Sequence, residues 1–126
     1  MRVLELFKKW LNVQGLHYEC DEDGYLYFRY YGFQLYCCSK DDEPMLLRIE
    51  MPNIYMVENN RVEVLEAANT ISAEYSVVKM FLIEDYLYIS LDLLIDDSTC
   101  IEDYVERYLN KMIMARNRMA NLIFNK

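Results

Sequence analysis

Glycine is scarce in this chain. Gly15, Gly24 and Gly32 are all it has, and they lie too far apart to form a phosphate-cradling loop. Histidine is scarcer: His17 stands alone, and with Cys20 it offers two ligands where a structural zinc site takes four. On a strand those two residues would also point to opposite faces. Cys20, Cys37, Cys38 and Cys100 lack zinc-site spacing, and adjacent Cys37 and Cys38 project to opposite sides of a strand. We read all four as reduced thiols of a cytoplasmic protein. Cations are outnumbered, with 13 Lys and Arg against 21 Asp and Glu and a net charge of −8. That balance argues against nucleic acid, whose phosphates need a cationic footprint, and against an anionic membrane surface. No apolar run reaches the roughly 18 uncharged residues of a membrane span. Glu5, Lys8 and Lys9 interrupt any apolar N-terminal region, so no signal peptide is expected. Metal and cofactor are expected to be none.

Apolar residues and tyrosine are abundant. The chain of 126 residues is 54% apolar and carries 12 tyrosines. We read residues 1–126 as one domain, since a chain this long buries roughly two thirds of its unfolded surface without staples. The stretch from Asn60 to Ile95 organises it. Val62, Leu65, Ala68 and Ile71 recur at three-residue steps, with Val64 beside them, and predict a helix with one apolar face. Asn60 with Glu63 resembles a capping box at its start. After Tyr75 the period becomes two: Val78, Met80 and Leu82, then a Glu84-Asp85 connection, then Leu87, Ile89 and Leu91. That pattern predicts an antiparallel hairpin. A helix and a hairpin cannot bury both their faces alone, so the remaining chain must widen the sheet and cover it.

Upstream, Val3, Leu4, Phe7, Trp10 and Leu11 fall at helical spacing, predicting a helix over 2–13 with Gly15 as its stop. His17 to Cys20 is a short extended stretch, and Asp23-Gly24 is a turn signal. YLYFRYY and FQLYCCSK alternate on either side of Gly32. Asp41 to Pro44 is a polar turn, and MLLRIEM is a further strand expected to end near Pro52, which cannot donate to a ladder. Downstream, Thr99 with Glu102 forms another capping-box pattern after Asp96-Asp97. Ile101, Val105, Tyr108, Met112, Met119 and Ile123 mark the inner face of a last helix, with Arg116 and Arg118 toward its favourable C-terminal end.

From about Gly15 to Leu122 the chain resembles the YbjN-like family, candidate bacterial sensory transduction regulators that share a fold with type III secretion chaperones. The resemblance rests on the acidic turn Asp21-Glu22-Asp23-Gly24, on the helix segment Ala67-Ala68-Asn69-Thr70-Ile71, and on the sequence of strand, Glu84-Asp85 turn, strand and long C-terminal helix. Family members often carry a second asparagine three residues after the first; here that position is Ser72. The resemblance implies an α+β fold and a protein-binding or regulatory role.

The expected architecture is therefore α+β: an antiparallel sheet of about five to six strands, in the order α-β-β-β-α-β-β-α with three or four strands before the middle helix, and with the first and last helices on one sheet face. Alternation places Leu26, Phe28, Leu35, Leu47, Ile49, Leu87 and Ile89 under the helices. It sends Tyr25, Tyr27, Arg29, Tyr31, Tyr36, Phe81, Tyr86 and Tyr88 to the opposite face, with Gln34, Cys38, Arg48, Glu50 and Lys79. Such a face is either a wet sheet surface with cross-strand aromatic pairs or a contact surface rich in tyrosine and arginine. The acidic clusters at residues 21–23, 41–43 and 96–97 fit solvated turns and helix starts. Asn69 is a structural candidate, either a helix C-cap or a polar anchor for the next loop.

No catalytic signature is present, so the expected function is non-enzymatic: a protein-binding or chaperone-like module holding an unidentified protein or peptide on the tyrosine face or an open edge. The alternative is a small regulatory or signalling domain acting through self-association, and a third is a thiol enzyme centred on Cys37 or Cys38. Few charges protect the edges of YLYFRYY and YLYISL, so a homodimer is expected, with Phe81, Tyr86 and Tyr88 at its centre and Lys79 and Glu84 at its rim.

Overall fold

The computed structural model describes residues 2–40, 42–95 and 101–124. It is α+β: helix α1 (Arg2–Val13), strands β1 (Tyr18–Cys20), β2 (Leu26–Tyr30), β3 (Phe33–Lys40) and β4 (Glu43–Met56), helix α2 (Arg61–Glu74), strands β5 (Val78–Ile83) and β6 (Tyr86–Leu94), and helix α3 (Ile101–Met119). A π-helical turn, Ala120–Phe124, extends α3. The six strands form one antiparallel sheet in the order β1-β2-β3-β4-β6-β5. Four strands precede the middle helix, the upper count of the expected three or four, because the short stretch after His17 pairs with β2 as β1.

Local chemistry accounts for the element boundaries. Gly15 takes φ 72° and ends α1 with a paired motif: its N–H donates to Asn12 O at 3.1 Å, and Leu16 N–H donates to Leu11 O at 2.9 Å. Tyr31 and Gly32, both at positive φ, make the two-residue hairpin loop between β2 and β3. Asp21 Oδ1 accepts from the N–H groups of Asp23 (3.0 Å) and Tyr25 (2.9 Å), closing the β1–β2 turn.

Strand β4 does not stop near Pro52 as expected; it runs to Met56. Met51 pairs with Ile89 and Tyr55 with Leu87, so Pro52, Asn53 and Ile54 together face the single residue Tyr88. This is a bulge, the place in a ladder where a missing proline N–H is tolerated. Asn53 supplies its left-handed backbone, at φ 52°.

All three helices feed one core, on one face of the sheet. The expected strand residues Leu26, Phe28, Leu35, Leu47, Ile49, Leu87 and Ile89 are all buried there. Helix α2 also packs against β5, so the middle helix joins the first and last. Its inner face differs from the expected one: Val64, Ala68 and Ile71 are buried, whereas Val62 is 64% and Leu65 44% exposed. Steps of three residues slip back about 60° per step on a helix of 3.6 residues per turn, so Val62 and Ile71 cannot share a side. The expected capping box is absent as well. Asn60 is the N-cap residue but makes no side-chain cap bond. Its Oδ1 accepts from Glu58 N–H at 3.0 Å and its Nδ2 donates to Tyr55 Oη at 2.8 Å, tying the loop back to β4. On α3 the buried residues are Val105, Leu109, Met112, Ala115 and Met119, followed by Ile123; Ile101 and Tyr108 are only half-buried. Thr99, Asp96, Asp97 and Cys100 lie outside the described residues.

Candidate functional site

The opposite face of the sheet contributes nothing to that apolar core. Its side chains instead form rows across the strands. One row crosses all six: Glu19, Tyr27, Tyr36, Glu50, Ser90 and Lys79 are successive register partners. A second joins Cys38, Arg48 and Asp92. Tyr27 and Tyr36 pair with ring centroids 5.8 Å apart, and Phe81 stacks on Tyr88 at 5.8 Å and 14°. Arg48 binds Asp92 through two hydrogen bonds, Nε to Oδ1 at 2.7 Å and Nη2 to Oδ2 at 3.0 Å. Lys79 Nζ adds a third at 2.9 Å. The Arg48 guanidinium, and then Lys79, hold the Asp92 carboxyl down at about 2.

Most of the expected surface residues gather on this face. Tyr27, Tyr36, Phe81 and Tyr88 are half-buried by their neighbours, and Tyr25 and Arg29 are exposed. Tyr31 leaves the face for the hairpin loop, where it is 76% exposed and packs edge-on against Tyr30 at 4.7 Å. Arg29 turns toward the same loop, donating from Nη2 to Gly32 O at 3.0 Å. Tyr86 sits beside the β5–β6 loop, opposite Ile83 and Met56. Asn69 is exposed within α2, and Tyr75 is the C-cap. The link from α2 to the hairpin comes instead from Ser72, whose Oγ accepts from Met80 N–H at 2.9 Å.

Over Tyr36 and Glu50 of the first row lies an open cleft of about 360 Å³, lined also by Asp21, Asp23, Tyr25, Pro52, Asn53 and Tyr88. The bulge forms one wall and the β1–β2 turn another. The Tyr25 phenol is pushed above the usual value, first by Cys38 beside it, then by the loss of solvent and by the carboxylates of Glu50, Asp21 and Asp23. Sequence reading placed Asp21 and Asp23 at a turn and Pro52 at a strand end; only the register brings them to Glu50 and Tyr88. Among the described residues no three His, Cys, Asp or Glu side chains are grouped to hold a metal ion. Cys37 is 1% exposed on the core side, and burial raises its thiol well above the usual range, which suppresses the thiolate a nucleophile needs. His17 is solvent-facing, 3.7 Å from Glu19 Oε1.

The arrangement of three helices on one face of a six-stranded sheet is the YbjN-like, type III secretion chaperone-like fold. The chain is similar to an uncharacterised protein from Methanothermobacter thermautotrophicus, at TM-score 0.73, 14% identity and 96% coverage of both chains. It is similar to YbjN from E. coli, described as a candidate transcription regulator, at TM-score 0.67 and 16% identity, covering 94% of this chain and 90% of that one. A third likeness is to the Yersinia pestis type III secretion chaperone SycH in complex with a stable fragment of YscM2, at TM-score 0.55 and 16% identity, covering 88% and 97%. No family model and no curated protein matches the chain. Among the described residues no helix is long and apolar enough to cross a membrane.

Proposed function

We propose that this protein is a non-enzymatic polypeptide-binding module of the cytoplasm, and that its partner lies on the tyrosine face. The observation that carries the reading is the composition of that face: paired aromatic rings and charged groups, half-buried by one another and outside the core. Tyrosine gives such a surface large, rigid contact area at low entropic cost. The likeness to a chaperone solved with a protein fragment supports a polypeptide as the partner class. Burial of Cys37 weighs against a thiol enzyme built on it. Arrays of short peptides probed with the labelled protein test the reading. Binding to a subset of peptides is expected, with loss in the double variant Tyr27→Ser and Tyr36→Ser. A protein that binds no peptide, or a double variant that binds them all unchanged, overturns it.

Self-association is a second reading, favoured by the inequality of the two sheet edges. Edge strand β1 is three residues long with Glu19 at its centre. Edge strand β5 is six residues long with Lys79 as its one charge, and beside it Ile83 is 48% and Tyr86 41% exposed. A two-fold contact through Phe81, Tyr86 and Tyr88 would cover that edge, giving a homodimer. Sedimentation at micromolar concentration is expected to show a dimer that Phe81→Asp and Tyr88→Asp dissociate; a monomer at every concentration removes this reading.

A further inference from the structure

We infer that the cleft between the β1–β2 turn and the β4 bulge receives a cationic side chain of a basic polypeptide, an inference that rests on the polypeptide-binding reading above. The cleft combines the two features that attract an organic cation. Three carboxylates line it, Asp21 and Asp23 from the β1–β2 turn and Glu50 from β4, together with three phenol rings, from Tyr25, Tyr36 and Tyr88. Ring faces and carboxylates together hold guanidinium and ammonium groups, and the ring contribution grows as water is excluded. The side-chain hydrogen bonds of the cations on neighbouring strands go elsewhere: Arg48 and Lys79 both bind Asp92, and Arg29 binds the Gly32 carbonyl. Among the described residues no ion pair involves Asp23 or Glu50. Among the described residues these carboxylates are not grouped to hold a metal ion, which leaves an organic cation as the better match. A net charge of −8 adds a long-range field that draws basic segments toward the protein.

The full chain is titrated into a fluorescein-labelled nonapeptide of three Arg-Ser-Leu repeats. The control peptide carries citrulline, the neutral isostere, at each arginine. The arginine peptide is expected to bind about tenfold more tightly than the citrulline peptide. Glu50→Gln, Asp23→Asn and Tyr88→Leu should each erase most of that difference and leave citrulline-peptide binding unchanged. Asp23→Asn alters an exposed turn residue, so its result stands if the strand variants fold poorly. Glu63→Gln makes the same charge change on the exposed surface of α2 and should alter neither peptide. Equal affinity for the two peptides overturns the cation inference and leaves polypeptide binding intact. Loss with Glu63→Gln equal to that with Glu50→Gln assigns the effect to net charge and overturns it also. Failure to bind either peptide, with no peptide bound on the arrays, removes both readings.

Discussion

On the covered side of the sheet, Leu35, Leu47, Ile49, Leu87, Ile89 and Leu91 have no solvent exposure. One position along the same strands, Tyr36, Arg48, Glu50, Tyr88 and Asp92 are only half-buried, and Lys79 is exposed. The first group is held by shape, because each side chain fills space that water would otherwise enter. The second is held by pairings: ring on ring, and one carboxylate between two cations. Folding alone accounts for the first group. It does not account for three tyrosines and three carboxylates around one cleft, since any polar set with modest strand propensity would solvate that face.

The sharpest test of this contrast is a pair of truncations. Ile89→Ala should cost about 2–5 kcal/mol in chemical denaturation, because the sheet cannot collapse onto the space left. Tyr27→Ser, on the open side, should cost less than about 1 kcal/mol, the usual worth of a cross-strand pair. Equal losses would mean that the open face is as tightly packed as the core.

A smaller effect comes from acid. The Asp92 carboxyl titrates at about 2 against an ordinary 3.8, so its ion pairs stabilise the fold above the ordinary value and fade as pH falls through about 2. Between about pH 4 and about pH 2 this should remove on the order of 1 kcal/mol, the upper part of the surface range because Arg48 binds through two bonds. Denaturation curves for Arg48→Met across that window should be flatter by a similar amount. A slope unchanged by Arg48→Met would show that Asp92 does not carry the dependence.

The smallest effects are expected on α2, which meets solvent along one side. Leu65→Ala should change stability by less than about 1 kcal/mol, because a half-exposed leucine leaves no closed cavity. Asn69→Leu should be close to neutral or slightly stabilising, since leucine is the better helix former. Ser72→Ala is the informative neighbour: it leaves the Met80 N–H without its acceptor and should cost about 1 kcal/mol. A larger loss at Asn69 than at Ser72 would restore the anchor to the asparagine.

Both sheet faces were legible in the sequence because the period of a strand is two, so a single correct assignment on each strand sorts every other residue. The helix was harder. Val62 and Leu65 read as core because three-residue spacing looks helical over one turn, while the burial of Val64, Ala68 and Ile71 follows the true period over two. Pro52 read as a strand end because a proline interrupts a ladder; the bulge that admits it depends on the pairing of Met51 and Tyr55 with β6. Asn60 read as a cap because its offset from Glu63 fits one, yet Tyr55 Oη sits within 2.8 Å and takes its amide. Arg116 read as a charge at a helix end. It lies over the rings of Phe33 at 5.0 Å and Phe124 at 5.5 Å, and Phe124 stacks on Tyr55 at 4.8 Å. The cleft drew its residues from a turn, a bulge and three strands, and local pattern carries no information about which of those meet.

Among the described residues the pairing of β4 with β6 is the one ladder that joins the two halves of the chain across α2. Strands β1 to β4 meander between near neighbours, and β5 with β6 is a local hairpin. Refolding therefore divides into fast local events and one slower event, the zippering of that seam, which must close a loop containing a whole helix before any contact rewards it. Amides along the seam should exchange with solvent only when the whole sheet opens, while β1, paired on one side over three residues, opens freely by itself. The cleft straddles both regimes: Glu50 and Tyr88 belong to the slow seam, and Asp21 and Asp23 to a turn that can breathe independently, so one wall of the cleft is rigid and the other is free to adjust around what enters it.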